Sequence, residues 1–125
     1  MTPAAKPLVY LILGAAGSGR REIVADLIEG GLDDTDLPAV MLPASGAPHP
    51  LDTTLPRVGH WEWIDGAIRG NLPAAATRVF FVTDGARSAV DQIEVFKPWL
   101  EAQGGQLAHV LCVVNVRFAA KHPPL

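Results

Sequence analysis

Apolar positions in this chain come in continuous blocks more often than in alternation. Leu8-Val9-Tyr10-Leu11-Ile12-Leu13 is an unbroken apolar run bounded by Pro7 and Gly14, the pattern of a parallel strand buried on both faces. After a glycine-rich turn, Ile23, Val24, Leu27 and Ile28 recur at helical spacing. Arg21, Glu22, Asp26 and Glu29 fall on the opposite side, and Gly30-Gly31 offers a C-terminal cap. Pro38 to Leu42 reads as a short strand, and Pro43 to Gly59, dense in Pro, Gly, Ser and Thr, as a long loop. Trp61, Ile64 and Ile68 stand at i, i+3 and i+7, which predicts a short amphipathic helix over 61–69. Arg78 to Thr83 is a second two-sided strand ending in the polar turn Asp84-Gly85. Ser88 to Asp91 has the spacing of a capping box. Val90, Ile93, Phe96 and Leu100 then mark the buried face of a helix running to about Gln103, which Pro98 should bend or shorten and Gly104-Gly105 should end. His109 to Val116 is the last strand, apolar and β-branched.

Strands alternating with helices predict an α/β domain: a three-layer parallel sheet with helices on both faces, of about four strands, spanning 1–125 as one unit. Ligands of such sheets bind beyond the carboxyl ends of the strands. The stretch from Gly14 to Arg21 and the Asp84-Gly85 turn both fall at that edge.

Composition narrows the function classes. At 49% apolar and 18% charged residues the chain belongs with folded domains, not disordered ones. The net charge is -3 and the basic residues are scattered except for Arg20-Arg21, so nothing forms the basic stripe that nucleic acid requires. No segment has the run of about 18 apolar residues that a membrane span needs. The stretch from Lys6 to Ala16 superficially resembles a signal peptide, but Gly14 interrupts its apolar core and only one cation precedes it. The only cysteine, Cys112, stands inside the apolar run Val110 to Val114 and reads as a buried, inert thiol, which suits a cytoplasmic protein. His49, His60, His109 and His122 lack any short metal-ligand spacing and read as ordinary surface or strand histidines.

The candidate chemistry lies in Gly14-Ala15-Ala16-Gly17-Ser18-Gly19-Arg20-Arg21. Phosphate loops use glycine so that backbone N–H groups converge on phosphate oxygens, with a helix N-terminus beneath. The usual pattern is G-x-x-x-x-G-K-[ST], in which the lysine meets the terminal phosphates and the hydroxyl ligates magnesium. Gly14 and Gly19 are in register with it, and Gly17 lies between them. Arg20 keeps a cation in the lysine position, although a planar guanidinium is not equivalent to a compact ammonium. Arg21 replaces the hydroxyl, and a cation cannot ligate Mg²⁺. A dinucleotide fold is the rival reading, since Gly14-x-x-Gly17 resembles its turn. That fold places a third glycine where Arg20 stands, and it ends its second strand in a carboxylate that Leu42-Pro43-Ala44-Ser45 does not supply.

Residues 8 to 125 resemble the N-terminal part of the CobW-like GTPases, a P-loop family associated with metal insertion. Three places carry the resemblance: Leu11 to Gly19 is similar to the family's phosphate loop, Phe80 to Gly85 to its second nucleotide-facing strand, and Val110 to Val116 with Pro123-Pro124-Leu125 to the strand and linker that follow. The resemblance implies a P-loop fold with GTP, or ATP, as ligand. It also implies a carboxylate at the end of the second of those strands. That position is Val82, and Asp84 stands in for it, while Gly85 can offer its N–H to a terminal phosphate. The family's cysteine motif has no counterpart between His60 and Leu72, and Asn115-Val116-Arg117-Phe118 lacks the lysine and aspartate of an N/T-K-x-D base-recognition motif.

The sequence therefore points to a nucleotide-phosphate-binding domain with weak or absent hydrolysis. A non-enzymatic interaction module that retains the fold, and an NAD(P)-binding domain, are the alternatives. In a P-loop strand order of 2-3-1-4 the strand at 109–116 is an edge without charges, which calls for a cover. Either a C-terminal half of a longer protein or the partner of a homo-oligomer would provide it.

Overall fold

The computed structural model describes residues 6–15, 18–31, 36–44, 55–85 and 88–114. Its elements are β1 (Leu8–Leu13), α1 (Arg20–Gly31), β2 (Pro38–Pro43), β3 (Val58–Ile64), β4 (Ala67–Arg69), β5 (Arg78–Val82), α2 (Ala89–Ala102) and β6 (Gln106–Cys112). One six-stranded sheet runs β4-β3-β2-β5-β1-β6, parallel except for the β3–β4 pair.

The unbroken apolar runs of β1, β2 and β5 follow from their place in this sheet. Successive residues point to opposite faces, and each face has its own core. Val9, Leu11, Ala39, Met41, Val79 and Phe81 meet Phe96 and Leu100 of α2. Ile12, Val40, Leu42, Phe80 and Val82 meet Val24 of α1, with Ala25, Leu27 and Ile28 packed around it. One helix thus covers each face, and the domain has three layers.

Four strands were expected, and the described residues contain six. The four lie in the order β2-β5-β1-β6, equivalent to 2-3-1-4. The two additional strands replace the helix expected over 61–69. They form a hairpin in which Ile64 pairs with Ala67 and Glu62 with Arg69. Asp65 (φ 52°) and Gly66 (φ 74°) connect them with both residues left-handed, as in the type I′ turn that suits a tightly twisted hairpin. Trp61 is buried and Glu62 exposed, so the burial period here is two. Helix-like spacing of three apolar residues loses to the turn chemistry of Asp-Gly.

Other boundaries also moved. The last strand starts at Gln106, three residues before His109, and an irregularity in its pairing with β1 accommodates Ala108. The expected loop from Pro43 to Gly59 is shortened at its far end, since Val58 and Gly59 already pair with Val40 and Met41; its residues 45–54 lie outside the described residues. Pro98 does not interrupt α2, which continues to Ala102. The helix ends as its glycines suggest: Gly104 is left-handed at φ 73°, its N–H donates to Glu101, and the N–H of Gly105 donates back to Leu100, the bonding of a Schellman cap. Ser88 holds the N-cap position without a side-chain capping bond. Among the described residues no helix is long and apolar enough to cross a membrane.

Candidate functional site

The glycine turn lies where β1 delivers the chain to α1, at the carboxyl edge of the sheet. Gly14, Ala15, Ser18, Gly19, Arg20 and Arg21 are described there; Ala16 and Gly17 lie outside the described residues. Gly14 has φ 153°, and a Cβ on it would stand 2.6 Å from Ser18 Oγ and 2.9 Å from the Val113 carbonyl oxygen. A side chain is therefore refused on two counts, conformation and space. Gly19, at φ 94°, opens the first turn of α1 and accepts the N–H of Ile23 at 3.1 Å. Ser18 N–H closes the turn onto Ala15 at 3.1 Å, while Ser18 Oγ is buried with no hydrogen-bond partner among the described residues.

Arg20 is the first residue of α1 and is 8% exposed. Its guanidinium donates to the main-chain carbonyl of Thr83, just beyond β5. Burial lowers its pKa from the ordinary arginine value, the neighbouring cation of Arg21 lowers it further, and Asp84 opposes both. Arg20, expected to face phosphate, is a strut between α1 and the β5 edge. Glu22 supplies an acidic group in the first turn, and its Oε2 lies 3.7 Å from where a Gly19 Cβ would stand. A carboxylate at that end suits the helix dipole, an effect of about 0.3–1 kcal/mol.

The segment 82–84 is held by side chains from three elements. Trp61 Nε1 of β3 donates to Val82 O at 2.9 Å. Arg20 of α1 donates to Thr83 O. Gln92 of α2 donates through Nε2 to Asp84 O at 2.9 Å and accepts the Asp84 N–H on Oε1 at 2.7 Å. Thr83 itself is fastened to β1, its N–H and its hydroxyl both donating to Ile12 O, at 3.1 and 2.8 Å. This edge brings Arg21 and Asp84 into electrostatic reach of Arg20, and Gly85 follows directly.

Thr83, Gln92 and Trp61 escaped the sequence reading. Gln92 stands four residues after Ser88 and one after the acid of the supposed capping box, which is the only local signal it carried. Cys112 is corrected as well: it is exposed on the edge strand, since among the described residues β6 has a neighbour on one side only. His60 and His109 are exposed, and His109 stacks on Tyr10 at 5.7 Å between ring centroids. Among the described residues no group of three His, Cys, Asp or Glu side chains is placed to hold a metal ion. Comparison with protein-family models, curated proteins and solved structures found no match to this chain.

Proposed function

We propose that the chain binds the phosphates of a nucleotide, GTP or ATP, at the β1–α1 turn and does so without magnesium-dependent turnover. The carrying observation is the pair Gly14 and Gly19, both at positive φ, at the head of a helix on the carboxyl edge of a parallel sheet. That arrangement aims backbone N–H groups and the positive end of a helix dipole at one place. The partnerless Ser18 hydroxyl adds a donor inside the same turn.

Strand order favours this reading over a dinucleotide fold. There the strand after the first helix lies directly beside the first strand, whereas here β5 separates β1 from β2. The carboxyl end of β2 is Leu42-Pro43-Ala44, without a carboxylate for a ribose. The resemblance to CobW-like GTPases rests on the same turn, on Phe80 to Gly85 and on Val110 to Val116 with Pro123-Pro124-Leu125.

Magnesium does not fit the residues present. Arg21 occupies the hydroxyl ligand's position, and its charge would compete with the ion for the same phosphate oxygens. Arg20 shares its cation with Thr83 O, and Glu22 brings an anion to the head of the helix that phosphate must outcompete. Both features weaken affinity without abolishing the site.

Isothermal titration with GTP, ATP and NAD, each in Mg²⁺ and in EDTA, tests the reading. Heat with GTP or ATP that persists in EDTA is the expected result. No heat with either triphosphate overturns it and leaves the fold-retaining interaction module, which the open edge of β6 favours.

A further inference from the structure

The two edges of the sheet differ in kind. β4 has three residues and carries Arg69 opposite Glu62, a short charged edge of the sort that resists pairing with other chains. β6 has seven residues, Gln106-Leu107-Ala108-His109-Val110-Leu111-Cys112, with no charge and no proline. Among the described residues it bonds to β1 along one side only. Val113 N–H donates to Leu13 O at 2.9 Å. Counted back by twos, Leu111 and His109 also turn their backbone groups toward β1, in register with Ile12 and Tyr10. Val110 and Cys112 therefore present N–H and C=O to the open side. Val110 is 48% exposed, and Val114, beyond the strand, 64%.

We propose that this edge pairs antiparallel with β6 of a second copy of the chain, about a two-fold axis beside Val110. Charge decides the occupant. A charged partner strand finds no opposite charge on β6, whereas a neutral strand pairs with itself without setting like charges face to face. A second copy supplies a strand of the same length and neutrality. Centred on Val110, the pairing sets Val110 against its own copy, Leu111 against His109 and Cys112 against Ala108. Each contact is isologous, as a two-fold requires, and the two sheets become one. The inference stands on the edge alone and is independent of nucleotide binding.

Light scattering coupled to gel filtration should return twice the chain mass of 13.3 kDa. Val110→Pro removes the outward N–H and leaves the bonds to β1 intact, and Val110→Lys sets two cations opposite each other. Both should elute as monomers with unchanged far-UV circular dichroism. In a Cys112→Ser background, Val110→Cys should form an inter-chain disulfide under mild oxidation, because hydrogen-bonded pairs have Cα atoms about 5.5 Å apart, within disulfide range. Val114→Cys in that background should not. The unaltered chain should not cross-link either, since the two Cys112 positions lie four residues apart along the pair, roughly 13 Å. A monomer at every concentration, a dimer indifferent to both Val110 variants, or equal cross-linking from positions 110 and 114 would overturn the proposal. Should Val110→Pro fail to fold, the cysteine pair decides by itself.

Discussion

The side-chain amide of Gln92 forms a two-point hydrogen-bonded ring with the main chain of Asp84, donating to its carbonyl at 2.9 Å and accepting its N–H at 2.7 Å. Gln92 is 3% exposed, so water does not compete for either bond. The ring docks α2 onto the end of β5 and fixes the direction in which Asp84 and Gly85 leave the sheet.

Gln92→Leu keeps most of the volume and removes both bonds. Leaving a backbone donor and acceptor poorly solvated costs about 1–3 kcal/mol, and thermal unfolding should fall by roughly 5–10 °C for a domain of this size. Gln92→Glu keeps the acceptor but sets a buried carboxylate oxygen against Asp84 O, and should be at least as destabilising as leucine at neutral pH. A melting temperature for Gln92→Leu equal to that of the unaltered chain contradicts the role given to the ring.

Trp61 serves the same edge from the other side. Its indole stacks on Phe81 at 4.9 Å and donates Nε1–H to Val82 O at 2.9 Å, with the residue 1% exposed. Trp61→Phe preserves the stack and deletes the bond, for an expected loss of about 1–2 kcal/mol. Trp61→Ala loses both, with a cavity, and should cost about 3–5 kcal/mol. Urea unfolding of the two variants separates the hydrogen bond from the packing. A phenylalanine variant as unstable as the alanine one would mean that the stack contributes nothing.

The parts of this edge differ in how far the sequence discloses them, for physical reasons. β1, β2 and β5 are buried on both faces, so their composition is apolar at every position and visible as a run. The glycine turn is visible because its backbone tolerates nothing larger at Gly14. Trp61 is another matter: with Ile64 and Ile68 it matches a helical period, and only Asp65-Gly66 between them announces a hairpin. The bonds that shape the site join residues far apart in the chain, Arg20 to Thr83 across 63 positions and Trp61 to Val82 across 21. Their acceptors are carbonyl groups, which every residue carries, so no residue type marks them. The ends of β6 are not marked by composition, because its apolar run continues past Cys112, its last residue paired with β1.

The phosphate contact proposed for Arg20 would join stability to ligand affinity. Arg20→Met keeps the stem and deletes the cation together with the bond to Thr83 O. An unpaired buried carbonyl costs about 1–3 kcal/mol, offset in part because a desolvated charge is removed as well. Nucleotide affinity measured in EDTA should fall about tenfold, equivalent to 1.4 kcal/mol. Arg20→Lys keeps the charge without the planar fork and should lose less affinity than methionine. If Arg20→Met binds triphosphate as tightly as the parent, Arg20 is a strut alone and has no part in phosphate binding.

Gly14 and Gly66 both sit at positive φ, at 153° and 74°, but their surroundings differ. A Cβ at Gly66 meets nothing within 4 Å, whereas at Gly14 it meets the Val113 backbone carbonyl at 2.9 Å, which cannot rotate away as the Ser18 hydroxyl can. Gly66→Ala should therefore cost only the conformational term, about 1 kcal/mol. Gly14→Ala adds the displacement of the β6 terminus from β1 and should cost clearly more, about 2–4 kcal/mol. The same substitution tilts the turn away from the head of α1 and should weaken triphosphate binding, while Gly66→Ala, on the opposite flank of the sheet, should leave it unchanged. Thermal unfolding and titration of this pair separate general backbone strain from the local demand of the β1–α1 turn. Equal losses of stability in both variants would refute the steric account of Gly14.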